Sequence, residues 1–472
     1  MTGFTQLEEI PKIHAALRKT FRSGITKPIA WRRHQLHQLA RLAQENADEI
    51  ADCIYKDLGR PKQEAIMGDV AAVIERSLIV ASNLEEWAKP EEPTVQPWQQ
   101  SWNTRVEKQP KGVALIISPW NYPFILSVQP LYGAISAGCC AVIKPSEFSP
   151  HVSAFLAKAI PKYLEASAYK VILGAVPEIT RVLELKWDHI FYTGNGRVAR
   201  IISAAAAKHL TPTTLELGGK SPVLVDSSAD IDISAKRILW GKVNNSGQIC
   251  VAPDYILAEK AIVPQLIDSI KKHSQDFFPD GALVSKSYGK IVTDAHFNRL
   301  KGLLQRSKGK VVLGGQWDEK TRGIEPTVVI VEEEDALLED ELFGPILPIL
   351  PVESIDEALQ YLQDRDYPLI LYGFSNNKVN KQKILDATMS GAVAFGDTFQ
   401  TVAVNEVPFG GVGESGHGSQ NLKYSYDSFS YLRPVFDIPF QDEQFFGARY
   451  PPYSEKSLEF FSALLKAPIP KI

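Results

Sequence analysis

A chain of 472 residues exceeds the ~250–300 at which a single hydrophobic core stops growing, so at least two domains are expected. Its 44% hydrophobic and 22% charged residues are ordinary for a soluble globular protein, and a net charge of −4 with no long basic run leaves no electrostatic footprint for nucleic acid. The four cysteines, Cys53, Cys139, Cys140 and Cys250, form no Cys-x-x-Cys pair, and no histidine cluster has ligand spacing, which argues against a disulfide framework and against a zinc or other metal site.

Glu8, Glu9 and Pro11 do not suit a signal peptide, and no apolar run approaches the ~18–20 residues of a membrane-spanning helix, so a cytoplasmic, reducing setting is expected. Residues 4–90 read as helices: Leu36, Leu39, Leu42, Ile50 and Ile54 recur near helical spacing among polar residues. Pro90, Pro93 and Pro97 break that pattern, and Trp98 to Lys108 alternates loosely, as an exposed strand or loop would. From Gly112 the texture changes. Strand-like runs at Val113–Ile117, Cys140–Ile143, Val171–Leu173, His189–Tyr192, Thr214–Leu217 and Val223–Val225 are separated by helix-like runs, which predicts a parallel sheet covered by helices. After Asp230 the alternation resumes, with strands expected at Tyr255–Ala258, Val311–Leu313, Thr327–Val331, Ile346–Ile349, Ile370–Phe374 and Ala392–Phe395. The fold class is α/β with two such sheets.

Four segments carry chemistry. Asn244-Asn-Ser-Gly-Gln-Ile-Cys250-Val-Ala-Pro253 places a thiol in a glycine-containing loop between a helix-like and a strand-like run. A lone cysteine is usually a small buried apolar residue, but three companions point elsewhere: Ser118-Pro-Trp120-Asn121-Tyr-Pro-Phe124, Leu215-Glu216-Leu-Gly-Gly-Lys-Ser-Pro222 and Glu341-Leu-Phe343-Gly-Pro345. Glu216 closes an apolar strand, where a carboxylate is costly unless it has partners or a task. With Cys250 in the same chain, general base is the better reading than a cap or an ion pair. Asn121, at a strand end, offers an amide N–H to a developing oxyanion. The strand–turn–helix run His189 to Ala199 matches Gly-x-Gly-x-x-Ala through Gly194 and Gly196, a weak dinucleotide signal by itself that would assign Glu216 to a ribose; Asn195 is placed to cap the helix and donate to phosphate.

On these four motifs, from about Leu36 to Tyr453, the chain resembles the aldehyde dehydrogenase superfamily. Gly247–Tyr255, Pro408–Gly416, the Tyr192–Asn195 turn and Arg449–Tyr453 are most similar to its class 3, fatty-aldehyde branch. The resemblance implies two Rossmann-like parallel-sheet domains and a small β oligomerisation arm. An NAD(P)-binding domain takes residues 1–96 and 113–217, a catalytic domain 218–418, the arm 97–112 and 419–436, and a tail with a short helix 437–472. It implies Cys250 as nucleophile, Glu216 as base and Asn121 as oxyanion donor. Ribose binding moves to Lys144 and Glu147 and, on the nicotinamide side, to Glu341. Ser118, Trp120, Ser146, Gly194, Asn195 and Gly196 complete the cofactor site, with Phe343 as a wall. NAD is the cofactor expected, with NADP as alternative. The partners implied are an apolar, medium- or long-chain aldehyde and a second copy of the chain, for which the 97–112 arm and the strand-like segment Tyr426–Leu432 offer exposed edges. Cys139 and Cys140, where related chains usually have Gly-Asn, read as packing residues.

Three departures from that pattern are Gly396-Asp397 for Asn-Asp, Gln420-Asn-Leu-Lys423 for Tyr-His-Gly-Lys, and the turn from Arg197 to Arg200; they predict an altered substrate mouth. Two rival functions stand beside aldehyde oxidation: acyl transfer to coenzyme A, against which Glu216 argues, and a non-enzymatic role for the same fold, against which the intact Cys250, Glu216 and Asn121 argue. Finally, Ser454 to Lys466 puts Leu458, Phe461 and Leu465 on one stripe, which predicts a short amphipathic helix over the substrate entrance or against a membrane surface.

Overall fold

The computed structural model describes residues 3–470. The chain divides into two compact units, one of residues up to 87 and 110–430, the other of 88–109 and 431 onward.

In the larger unit the short apolar runs between 113 and 217 pair as expected. They form a six-stranded sheet in the order Gly416–His417, Thr213–Leu217, His189–Gly194, Val113–Ile117, Cys140–Lys144, Tyr169–Val171. All its neighbours are parallel except the first strand, which runs antiparallel to Thr213–Leu217 with Gly416 opposite Glu216. Val113–Ile117 and Cys140–Lys144 are buried at every position, the mark of parallel strands covered on both faces. A second sheet has seven strands in the order Ala392–Phe395, Ile370–Phe374, Pro222–Val225, Tyr255–Glu259, Ile346–Val352, Thr327–Ile330, Lys310–Leu313, parallel except at the last pairing. The helical reading of the N-terminal region holds: Ile29–Glu45 and Ala47–Leu58 bury Leu36, Leu39, Leu42, Ile50 and Ile54 completely. Between Lys62–Ala65 and Ala71–Trp87 lies a π-helical turn, Ile66–Val70, a rare geometry that recurs near functional sites.

Three boundaries differ from the sequence reading. The strand expected at Val171–Leu173 lies at Tyr169–Val171. Trp98–Lys108 is not one strand: Pro97 opens a 3-10 turn to Trp102, capped by Gln96 and Gln99, and the strand is Arg105–Pro110. Tyr426–Leu432, read as strand-like, is a helix Leu422–Ser428 followed by a strand Ser430–Val435. Leu422, Tyr426 and Phe429 are buried at i, i+4 and i+7, so the helical period prevailed.

In the smaller unit Arg105–Pro110 pairs with Ser430–Val435, and Glu107 holds both Arg105 and Arg433. The C-terminal helix forms at Glu455–Ser462 and tightens to a 3-10 turn through Lys466, with Ser454 as N-cap. Leu458, Phe461 and Leu465 are exposed in the single chain. Residues 471 and 472 of the expected tail lie outside the described residues.

Candidate active site

Four neighbouring strands of the six-stranded sheet end side by side. Ser118 follows the last residue of one, Lys144 and Gly194 are the last residues of two more, and Glu216 is the penultimate residue of the fourth. The crevice beyond the carboxyl ends of a parallel sheet is where open α/β folds bind ligands. Two hydroxyls there, Ser118 Oγ and Thr193 Oγ1, are buried without a hydrogen-bond partner. Orphaned donors of this kind call for a polar ligand. Asn195 caps the helix Gly196–Ala207 by accepting from Val198 N at 3.0 Å. Gly194 has a different reason from the one the motif suggests: a Cβ there would sit 2.1 Å from the Tyr192 hydroxyl, which folds back toward the Asn195 carbonyl.

Lys144, read as a cofactor lysine rather than a surface one, is buried and pairs with Glu147 at 2.9 Å. Ser146 caps the same turn by accepting from Phe148 N. Trp120 lies edge-on to Phe343 at 5.4 Å and to His296 at 5.1 Å. His296, which also touches Phe148 edge-on, carried no sequence signal.

Asn195, Gly196, Gly218 and Glu341 line a cavity of about 690 Å³, whereas Ser118, Trp120, Lys144, Ser146, Glu147 and Phe343 lie outside its wall. Glu341 enters it because Gly218 has no side chain: a Cβ there would come within 2.4 Å of the carboxylate. Burial pushes Glu341 up to about 8, and the nearby Asp254 adds to the shift. The segment behind it is tethered: Arg299 donates to the Glu341 and Leu342 carbonyls, Leu342 N donates to Asp254, and Lys220 donates to Asp254 and to the Asp340 carbonyl. Phe343 is held at φ +49°.

Cys250 follows the helix Ile231–Val243 and a turn in which Asn245, Ser246 and Gly247 are all left-handed, with φ of 46, 52 and 73°. Two non-glycine residues there store strain of about 1–2 kcal/mol each. The turn is held by hydrogen bonds. Glu64 accepts from Asn245 N at 3.0 Å, and Gln248 donates to the Asn245 and Lys290 carbonyls. Asn121 joins it directly, donating from Nδ2 to the Gln248 carbonyl at 3.0 Å, while Asn245 Nδ2 donates to the Asn121 carbonyl at 2.9 Å. One N–H of the Asn121 amide is thereby fixed and the other is left for a ligand. Part of Cys250 remains accessible, but the protein packed around it pushes the thiol up to about 12. The Glu341 and Glu216 carboxylates add to the rise, and the N–H groups of Cys250 and Val251 offset it. Glu216 is 2% exposed, and neither of its carboxylate oxygens has a hydrogen-bond partner. Burial alone holds it well above the usual carboxylate range.

Aromatic residues pack beside the cysteine loop. Phe399 N reaches the Tyr372 hydroxyl, which donates to the Val251 carbonyl, and Phe399 meets Trp240 edge-on at 5.2 Å. Gly396 lies at φ +79°, a conformation that asparagine tolerates almost as well, so this departure leaves the backbone path intact. Leu422 at φ +37° is a real change, since glycine would be unstrained there. Gln420 and Asn421 are buried acceptors for Gln129 Nε2. Among the described residues no group of three or more His, Cys, Asp or Glu could hold a metal ion, and no helix is long and apolar enough to cross a membrane.

The aldehyde dehydrogenase family profile matches residues 5–435. The chain is 42% identical over 441 residues to an "Aldehyde dehydrogenase, dimeric NADP-preferring" of Rattus norvegicus, covering 93% of this chain and 97% of that one. It is 42% identical to "Aldehyde dehydrogenase family 3 member A2" of Mus musculus, covering 94% and 92%. The structure of Staphylococcus aureus AldH, in a substrate-bound state, superposes with a TM-score of 0.93 at 36% identity over 97% of this chain and 99% of that one. On this profile match, these identities and this superposition, the chain belongs to the aldehyde dehydrogenase family and, within it, to the family 3 branch of NAD(P)-dependent aldehyde oxidoreductases.

Proposed function

We propose that the reaction runs through a thioester on Cys250, with Glu216 as general base and Asn121 as oxyanion donor, and that the substrate is an apolar aldehyde. The observation that carries this reading is the bare carboxylate of Glu216, buried close enough to the half-accessible Cys250 thiol to act on it electrostatically. A group with no structural bond to make, held where its charge raises the thiol's pKa, is placed for proton transfer. Burial and the two carboxylates hold the thiol well above its ordinary value, so attack needs a base.

Glu216 takes the Cys250 proton, through water, as Sγ forms its bond to the aldehyde carbon. The oxygen becomes an alkoxide, held by the free Asn121 N–H and the Cys250 N–H. NAD(P), when bound, supplies the hydride acceptor. Ser118 and Thr193 hydroxyls, Lys144, Ser146, Glu147, the capped Gly196 helix, Glu341 and the Trp120–Phe343 pair are the groups that would hold it. Glu216 passes the first proton on to solvent; once the Cys250 thioester exists it removes a proton from water, hydroxide adds to the acyl carbon, and the carbon–sulfur bond breaks to release the acid and the Cys250 thiolate, which Glu216 reprotonates. Deacylation by water needs such a base, which supports hydrolysis over acyl transfer. The pairing of Phe399 with Trp240 supports an apolar substrate.

The Lys144–Glu147 pair bears on cofactor choice. Glu147 accepts from a 2′-hydroxyl and repels a 2′-phosphate, whereas Lys144 attracts one. Glu147→Gln should therefore shift the ratio of kcat/KM for NADP to that for NAD upward by about fivefold, worth ~1 kcal/mol for a partly exposed charge. An unchanged ratio means that Glu147 does not face the ribose.

A homodimer is the assembly we favour. The rat relative's name says "dimeric", and the strand Ser430–Val435 presents exposed Tyr431 and Leu432. The exposed apolar stripe of Glu455–Lys466 supports lying on a membrane surface, and the free cysteines suit a reducing, cytoplasmic compartment. The function is tested by NAD(P)H formation across aldehydes of increasing chain length, with and without coenzyme A. Rising kcat/KM with length and indifference to coenzyme A are expected. Coenzyme A-dependent turnover would replace hydrolysis by acyl transfer.

A further inference from the structure

Asn121 and its turn are held by residues that no motif marks. Arg60 is completely buried, in the chain between the helix Ala47–Leu58 and the π-helical turn Ile66–Val70. Its guanidinium forks. Nη2 pairs with the Asp69 carboxylate, also completely buried, and Nη1 donates to the Asn121 carbonyl at 3.2 Å. The plane of the group lies over the Tyr122 ring, 4.3 Å from its centre. Asp69 uses its other oxygen to accept from Ile125 N at 2.9 Å. Gly68 packs on the far part of Tyr122, where a Cβ would come within 2.9 Å of the ring. Residues 121, 122 and 125 are thus clamped from the same short segment. Four residues after Arg60, Glu64 accepts from Asn245 N, so that segment also holds the turn before Cys250.

A buried ion pair is a poor device for stability, because desolvation cancels most of the attraction. A pair of isosteric apolar residues would pack the gap at less cost. What such a pair cannot do is donate to a backbone carbonyl from a rigid planar fork while stacking on a ring. Gly68 and Asp69 both lie within the π-helical turn Ile66–Val70.

We propose that Arg60, fixed by Asp69, is a positioning residue that sets the Asn121 amide for the oxyanion. This rests on the reading of Asn121 given above. The mechanism is indirect: Arg60 holds the Asn121 carbonyl, the carbonyl fixes the backbone, and the side-chain N–H is thereby held within the few tenths of an ångström that transition-state hydrogen bonds demand.

The test is a double-mutant cycle on the full chain. The readout is the single-turnover rate of NAD(P)H formation at saturating aldehyde and cofactor, with cofactor affinity measured by fluorescence. Asn121→Ala should slow this rate about 10²–10³-fold, the range for loss of one oxyanion donor. The double variant Arg60→Met with Asp69→Asn removes the pair without leaving a bare charge. It should slow the rate about 10- to 100-fold, with cofactor affinity unchanged within twofold. In the Asn121→Ala background the same pair of changes should cost less than about twofold. An equal loss in both backgrounds would mean that Arg60 acts on the fold at large and would overturn the proposal, as would a double variant as fast as wild type. If Asn121→Ala itself is as fast as wild type, the oxyanion reading fails first and the proposal with it. Should the double variant not fold, Arg60→Lys keeps the buried charge and loses the planar fork, and the same cycle decides.

Discussion

Cys250→Ala is expected to lower steady-state oxidation of aldehydes to below about one per cent of wild type while leaving the affinity for NAD(P) within twofold. The alanine fits the space, so the fold should survive. Each of the other three cysteines is unsuited to replace the thiol. Cys139 and Cys140 are completely buried at the start of the strand Cys140–Lys144, out of reach of a substrate, and Cys53 lies on the helix Ala47–Leu58. The loss should fall on the chemical step, because Cys250 is the atom that becomes bonded to carbon. The appropriate measurements are the amplitude of the NAD(P)H burst, expected to vanish, and a cofactor titration, expected to be unchanged. Residual turnover above one per cent would mean a second nucleophile.

Glu216→Gln should have the second largest effect, and it has two independent readouts. The amide keeps the shape but cannot take a proton, so steady-state turnover should fall by about 10²–10⁴, the usual worth of a positioned base. The thioester should accumulate and be trappable by acid quench with labelled aldehyde. The second readout is stability. Burial holds the folded pKa of Glu216 well above its unfolded value. The unfolded chain releases this proton at lower pH than the folded one, so the native state loses stability as pH rises from the ordinary carboxylate value through the folded pKa. Glutamine has no such dependence. The variant should therefore match wild type in Tm near pH 5 and exceed it in alkaline buffer. Glu341, pushed up to about 8, contributes a parallel decline between about pH 4.5 and 8 in both proteins. An unchanged Tm difference across that range would show that Glu216 finds a partner in solution. If the variant chiefly raised KM for NAD, Glu216 would be a ribose ligand and not the base.

Much of this site was legible in the sequence because its parts are local. An apolar run followed by Ser-Pro-Trp-Asn, Lys-Pro-Ser-Glu or Glu-Leu-Gly-Gly announces a strand end with a polar payload, and the structure puts these ends next to one another. The cysteine loop was readable for the same reason. What was not legible depends on contacts across many residues. Arg60 and Asn121 are separated by 61 positions, and Glu64 and Asn245 by 181. No periodicity records such a pair. Gly194 was found for a plausible but different cause, since the Tyr192 hydroxyl occupies the space a side chain would need. Tyr426–Leu432 was misread because aromatic residues suit a strand face and a helix stripe alike, and only burial against the sheet's helices separates the two.

The antiparallel strand Gly416–His417 is the last part of the six-stranded sheet to be synthesised. It covers the edge of Thr213–Leu217, yet it leaves the ribosome some two hundred residues later. At about 5–20 residues per second, that edge waits unpaired for roughly 10–40 s during synthesis. The six-stranded sheet is therefore begun early and closed late. The strand left open in the interval is the one carrying Leu215, Glu216 and Leu217, an apolar edge with a carboxylate in its middle. A charge on an edge strand discourages pairing with a foreign chain. Glu216 is the charged residue on that open edge until Gly416 pairs opposite it.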